Sequence, residues 1–127
     1  MIRGRVDALR QARVQVEVER IDGSFEPIEA IVDTGFDGHL TLPPEVIAGL
    51  NLEPDRPTEV DLAAGLRETV NTWRGEVLWH DQTRSILILE ASGYPLLGME
   101  LMEDSQLTMQ PRINGHVLIE PLDEIVA

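Results

Sequence analysis

Cysteine is absent from the 127 residues, which excludes disulfides, thiolate metal sites and thiol nucleophiles together. Basic side chains are few: ten Lys and Arg stand against 23 Asp and Glu, a formal charge of −13. That sign is wrong for gripping a phosphate backbone, so no nucleic-acid partner is expected. No apolar run approaches the ~20 residues that a membrane-spanning helix needs. The richest, Ile86-Leu87-Ile88-Leu89, is closed by Arg84 and Glu90, and no membrane partner is expected. The first ten residues, MIRGRVDALR, lack the apolar stretch of a secretory leader, so a cytoplasmic location is expected. Low-complexity tracts, long linkers and solenoid repeats are also missing.

What is present suits one domain, 1–127. A chain of this size buries about two-thirds of its extended surface, enough for one core. The dominant pattern has period two. Val14, Val16 and Val18 alternate with Arg13, Gln15, Glu17 and Glu19, valines on one face and charges on the other. Asp22-Gly23-Ser24 interrupts the run and residues 25–32 resume it, a hairpin. Glu59–Leu62 and Glu68–His80 flank the small residues Ala63-Ala64-Gly65, predicting a second. Asn114-Gly115 between 107–113 and 116–119 predicts a third with a two-residue turn, because Asn-Gly tolerates positive φ. Helix is scarce. Residues 43–50, with Pro43-Pro44-Glu45 at the start, predict two turns, and 98–105 could form two more. The class is all-β with one or two short helices.

The informative stretch is Ile31-Val32-Asp33-Thr34-Gly35-Phe36-Asp37-Gly38-His39-Leu40-Thr41-Leu42-Pro43. An apolar strand delivers an acid into a Thr-Gly turn, and a second alternating strand leaves it. Burial raises the pKa of such a carboxyl unless hydrogen bonds favour the anion. Gly35 can supply an unobstructed N–H and Thr34 a hydroxyl that locks the turn. A carboxylate held rigidly in this way suits acid–base chemistry.

With Asp33-Thr34-Gly35 after Ile31-Val32, and Leu96-Leu97-Gly98 later, the sequence resembles the retropepsin-like aspartic proteases, the family of the retroviral proteases and their bacterial and archaeal relatives. The resemblance covers Val14 to Ile119 but is specific only at 31–43 and 95–102. It implies a closed β-barrel in which the Leu-Leu-Gly strand packs behind the Asp-Thr-Gly loop. It also implies catalysis by Asp33, supported by Thr34 and Gly35, and a flap tipped by Ala63, Ala64 and Gly65 that closes on an extended peptide. Asp37 matches a position that binds substrate backbone. Phe36 stands where a small residue is usual and would line the cleft wall, and Met99 replaces an arginine that usually pairs near Asp37.

One Asp-Thr-Gly is half of a mechanism. Hydrolysis by this chemistry needs two carboxylates facing one water and sharing a proton, the ionised one activating the water and the protonated one protonating the carbonyl oxygen. A two-fold homodimer supplies the second Asp33 from an identical copy, the C-terminal hairpin being the expected interface. Resemblance implies the same, with Thr34 hydroxyls crossing between subunits. The reading is therefore an aspartic endopeptidase acting on peptide or protein substrates with no metal or other cofactor. The alternative is a retropepsin-like dimerisation or peptide-binding module without turnover.

Plainer readings compete at several positions. Asp33-Thr34-Gly35 is also an ordinary turn sequence, and the Leu96-Leu97-Gly98 partner outweighs that. A phosphatase loop in 36–41 needs two aspartates two apart, but Gly35 and His39 flank Asp37. His39, His80 and His116 are isolated, which favours structural roles over metal ligation. Trp73, Val77 and Trp79 share a strand face suited to the core. Asp61 reads as a solvated strand residue and Asp123-Glu124 as a solvated tail.

Overall fold

The computed structural model describes residues 1–61 and 63–122, with backbone alone at Ala63. The Asp123-Glu124 pair lies outside the described residues. The valine alternation becomes β2 (Ala12–Glu19), whose residues 12, 14, 16 and 18 are buried. It pairs antiparallel with β3 (Phe25–Val32) from Glu19↔Phe25 to Arg13↔Ile31, the expected first hairpin. Before it lies β1 (Ile2–Val6), and after it β4 (Leu40–Leu42).

The chain then turns through α1 (Pro44–Leu50). Pro44 sits in its first turn, Glu45 lies at its positive end, and Asn51 closes it in the left-handed region at φ 54. Proline costs nothing there because the first N–H groups have no helical partner. A two-residue strand, β5 (Glu53–Pro54), follows. The second hairpin forms from β6 (Thr58–Asp61) and β7 (Arg67–Val70), which make a separate two-stranded sheet among the described residues. The long strand expected over 68–80 breaks at Asn71, and β8 (Thr72–Trp79) continues. It pairs with β9 (Gln82–Glu90).

Short β10 (Leu96–Leu97) is the keystone. It lies between β3, parallel at Leu96↔Ile31 and Leu97↔Val32, and β4, antiparallel at Leu97↔Leu40. From β4 the ladder passes to β9, to β8 and back to β2 through Glu17↔Leu78 and Val18↔Val77. The ring β2-β3-β10-β4-β9-β8 is thus a closed six-strand barrel, and closure leaves those strands no open edge. Val18, Ala30, Leu40, Leu42, Val77, Ile88 and Leu97 fill it at zero exposure, each larger aliphatic side chain worth about 1.5–3 kcal/mol of burial. Trp79 is buried and Trp73 packs against the same core, as their shared face requires.

Outside the ring, β1 extends the sheet from β2. It carries β12 (His116–Pro121) and then β11 (Ser105–Met109). Two expectations change here. Residues 98–104 form turns and no helix, and Ser105 already opens β11: Met102 N–H reaches the Gly98 carbonyl, and Asp104 at φ 63 ends the run. The third hairpin forms, but its connection spans 110–115, not two residues. Pro111 stops the β11 ladder, and the turn closes from Gly115 N–H to the Arg112 carbonyl with Asn114 at φ 65. Asn114 N–H then docks on the Val6 carbonyl, so β1 holds the loop.

Candidate active site

β3 ends between two neighbours. Ile31 and Val32 are flanked by β2 on one edge and β10 on the other, and both are buried. Asp33 is the first residue past the strand. Its N–H continues the ladder to the Leu97 carbonyl at 2.9 Å, which fixes its backbone, while its side chain is half-buried. Asp33 Oδ1 accepts the Gly35 N–H at 2.9 Å, and the Phe36 N–H closes on the Asp33 carbonyl at 3.1 Å. The carboxylate itself, not Thr34, closes the turn. Thr34 is exposed and its hydroxyl makes no hydrogen bond among the described residues. A Cβ at Gly35 would stand 3.2 Å from Asp33 Oδ1, so glycine keeps this approach open.

The same loop is clasped from behind. Gly98 N–H donates to the His39 carbonyl at 2.9 Å, Met99 N–H to Phe36 at 2.8 Å and Glu100 N–H to Gly38 at 3.0 Å. A side chain at Gly98 has no room: its Cβ would lie 2.2 Å from the Gly38 carbonyl oxygen and 2.6 Å from Phe36 Cδ2. The Phe36 ring therefore lies over Gly38 and Gly98, packed into the loop's own base. Thr41, buried beside it, accepts the Leu96 N–H at 2.9 Å. Asp37 is exposed and has no ion-pair partner among the described residues. Met99, at 49% exposure, offers it none.

His39 and Glu100 escaped the sequence reading as a pair. His39 Nδ1 is 3.1 Å from Glu100 Oε1, and the imidazole is 16% exposed. Burial lowers the His39 pKa, opposed by the Glu100 charge. Their 61-residue separation conceals the contact, which exists because Glu100 N–H is drawn onto Gly38. A second support stands at the entry to β10. Arg13 bonds Asp7 at 2.6 Å and Glu29 at 2.7 Å and stacks on Tyr94 at 4.3 Å. Pro95, the next residue, accepts the Ile31 N–H. Asp7 is held below the ordinary carboxylate range, first by the Gln11 N–H and then by Arg13.

Asp33, Thr34, Gly35, Phe36 and Asp37 thus share one loop gripped by Leu97-Gly98-Met99-Glu100. Ala63, Ala64 and Gly65 sit apart, at the tip of β6–β7. Ala64 at φ 64 and Gly65 at φ 74 both take left-handed backbone, and the side chain of Ala63, like all of Leu62, lies outside the described residues. Asp61 pairs with Arg67 at 3.1 Å. Surface grooves of the single chain, one lined by His39, Asp55 and Arg74 and one by Trp79, His80 and Arg84, leave Asp33 out. Among the described residues no three His, Asp or Glu side chains are grouped to hold a metal ion, and no helix is long and apolar enough to cross a membrane.

No protein-family model and no curated protein matches this chain. Among solved structures, EIAV protease complexed with the inhibitor HBY-793 is similar, with a TM-score of 0.50 and 18% sequence identity, over 72% of this chain and 86% of that one. At that identity the likeness is one of fold: a closed β-barrel with one short helix, of the retropepsin-like type.

Proposed function

We propose that the chain, a single domain over 1–127, is an aspartic endopeptidase of the bacterial and archaeal branch of the retropepsin-like family that works as a homodimer. The observation that carries this is the seating of Asp33. Its backbone is bonded to Leu97, one carboxylate oxygen is bonded to Gly35, and Oδ2 has no hydrogen-bond partner among the described residues. A carboxylate so anchored presents a fixed oxygen outward, which is what a shared water requires. The second carboxylate comes from a second copy across a two-fold axis.

In the pair, one Asp33 is ionised and takes a proton from the water as it attacks the amide carbon. The other is protonated and hydrogen-bonds the carbonyl oxygen, stabilising the tetrahedral intermediate. Gly35 N–H stabilises the anionic partner, and Thr34 hydroxyls are placed to bridge the copies. Substrate lies as an added strand, with Asp37 and the 63–65 tip touching it and Phe36 supporting the loop floor. A cysteine-free chain suits the reducing cytoplasm.

The test is Asp33→Asn. Isosteric replacement keeps the Gly35 bond and the fold, so thermal stability and dimer mass should hold while cleavage of a peptide library vanishes. Persistent cleavage would reject the mechanism. Unchanged binding of a hydroxyl-bearing transition-state mimic in Asp33→Asn, with no cleavage by wild type, would instead favour a peptide-binding module.

A further inference from the structure

A chain of −13 with 23 acids has carboxylates to spare for its arginines. Arg13, Arg20, Arg67 and Arg74 each hold one. The outward face of the β1-β12-β11 sheet is different. Alternation turns Val6, Val117 and Ile119 into the core, and Arg3, Arg5, His116 and Leu118 outward. The register sets these side chains in two rows. Arg3, Leu118 and Thr108 form one, and Arg5, His116 and Gln110 form the next. The six line a groove of about 330 Å³, and among the described residues no Asp or Glu lines it. Glu120, two residues past Leu118 on the same face, stands opposite Gln106 and outside the groove.

Both arginines are exposed and lack a carboxylate among the described residues. Arg5 Nη1 donates to the Asn114 carbonyl at 3.3 Å, and Arg3 Nη2 meets the Met1 sulfur at 3.2 Å. Arg5 also stands directly opposite Arg13 on β2, and facing like charges cost stability. Arg13 is neutralised by Asp7 and Glu29; Arg5 is not. We infer that this groove docks an extended acidic stretch of a partner protein, with carboxylates at alternate positions. Arg3 and Arg5 leave β1 about 7 Å apart. An extended peptide presents every second side chain at that same repeat, so a stretch lying along β1 sets one carboxylate on each guanidinium. Leu118 gives it an apolar floor, and Thr108 and Gln110 offer hydrogen bonds on the far side. A long nucleic acid fits less well, because it would run beyond the groove onto a surface of its own sign. None of the six residues belongs to the Asp33 loop or the 63–65 tip, so the site goes beyond the endopeptidase reading.

Fluorescence anisotropy with a labelled Glu-Ser repeat peptide tests the site, read as binding and not as cleavage, so its failure is distinct from failure of the endopeptidase reading. The peptide should bind wild type with an affinity that falls as salt rises, and a Gln-Ser repeat should not bind. Arg3→Gln and Arg5→Gln should each weaken binding about tenfold, with circular dichroism confirming the fold. Arg74→Gln, which removes a cation on β8, should change nothing. Wild type that ignores the Glu-Ser repeat, or binds the Gln-Ser repeat equally, would overturn the site. So would unchanged binding in both Arg3→Gln and Arg5→Gln. Tighter binding of a single-stranded oligothymidylate, lost in those variants, would overturn the peptide assignment. Loss of self-association in them by sedimentation would give the face to a second copy and overturn it too.

Discussion

Gly98→Ala adds a single methyl group in the tightest spot behind Asp33. That carbon would land 2.2 Å from the Gly38 carbonyl oxygen, 2.6 Å from Phe36 Cδ2 and 2.8 Å from the Phe36 carbonyl oxygen. Two of the three are main-chain atoms of the loop that holds the carboxylate, so rotamer changes cannot relieve them. Overpacking costs about 1–3 kcal/mol when neighbours can adjust; here backbone must move, and about 3 kcal/mol or more is expected. For a domain of this size that lowers Tm by roughly 10–12 °C. Gly49→Ala is the control. Nothing lies within 4 Å of its added carbon, it is exposed in α1, and it should gain about 0.5–1 kcal/mol. Combining Gly98→Ala with Phe36→Ala removes the ring clash but neither carbonyl clash, so rescue should be partial. Calorimetry on wild type and the three variants gives the answer. A Gly98→Ala protein melting within 2 °C of wild type would show that the clasp around Asp33 is not built as described.

Further outcomes concern the same shell. Thr41→Val strands the Leu96 N–H beside a methyl group, so urea unfolding should show a loss of about 1–3 kcal/mol, while Thr41→Ser keeps the acceptor and most of the stability. The His39 pKa is depressed by burial, so the unfolded chain binds this proton more readily. Stability from this group is complete above the unfolded value of about 6.5 and is lost as pH falls through the folded pKa. His39→Gln should therefore flatten the fall in Tm on acidification. Glu100→Gln removes the opposing charge, depresses the folded pKa further and should steepen it.

The parts legible in the sequence are those governed by local pattern. Val14-Val16-Val18 against Arg13, Gln15 and Glu17 declares a half-buried strand, and Pro44 with Glu45 declares a helix start. Asp33-Thr34-Gly35 and Leu96-Leu97-Gly98 were readable as a pair only through family resemblance, because their meeting depends on a strand crossing the middle of the barrel. β1 escaped notice since Gly4 dilutes its alternation; a Cβ there would lie 1.9 Å from the Arg13 carbonyl oxygen, so the glycine is demanded by β2. Asn114-Gly115 misled on loop length because Pro111 ends the ladder earlier. The His39–Glu100 contact had no local signature. The packing of the Phe36 ring over Gly38 and Gly98 had no local signature either, because Gly98 is 62 residues away in the chain.

The insertion of Leu96-Leu97 between β3 and β4 also has a consequence in time. On a ribosome about three-quarters of the polypeptide is made before this dipeptide exists, and until it arrives Asp33 lacks the Leu97 carbonyl that fixes its main chain. A half-made molecule can carry the acid but cannot aim it. The main chain at Asp33 thus reaches its final place only after the strand that anchors it has been made.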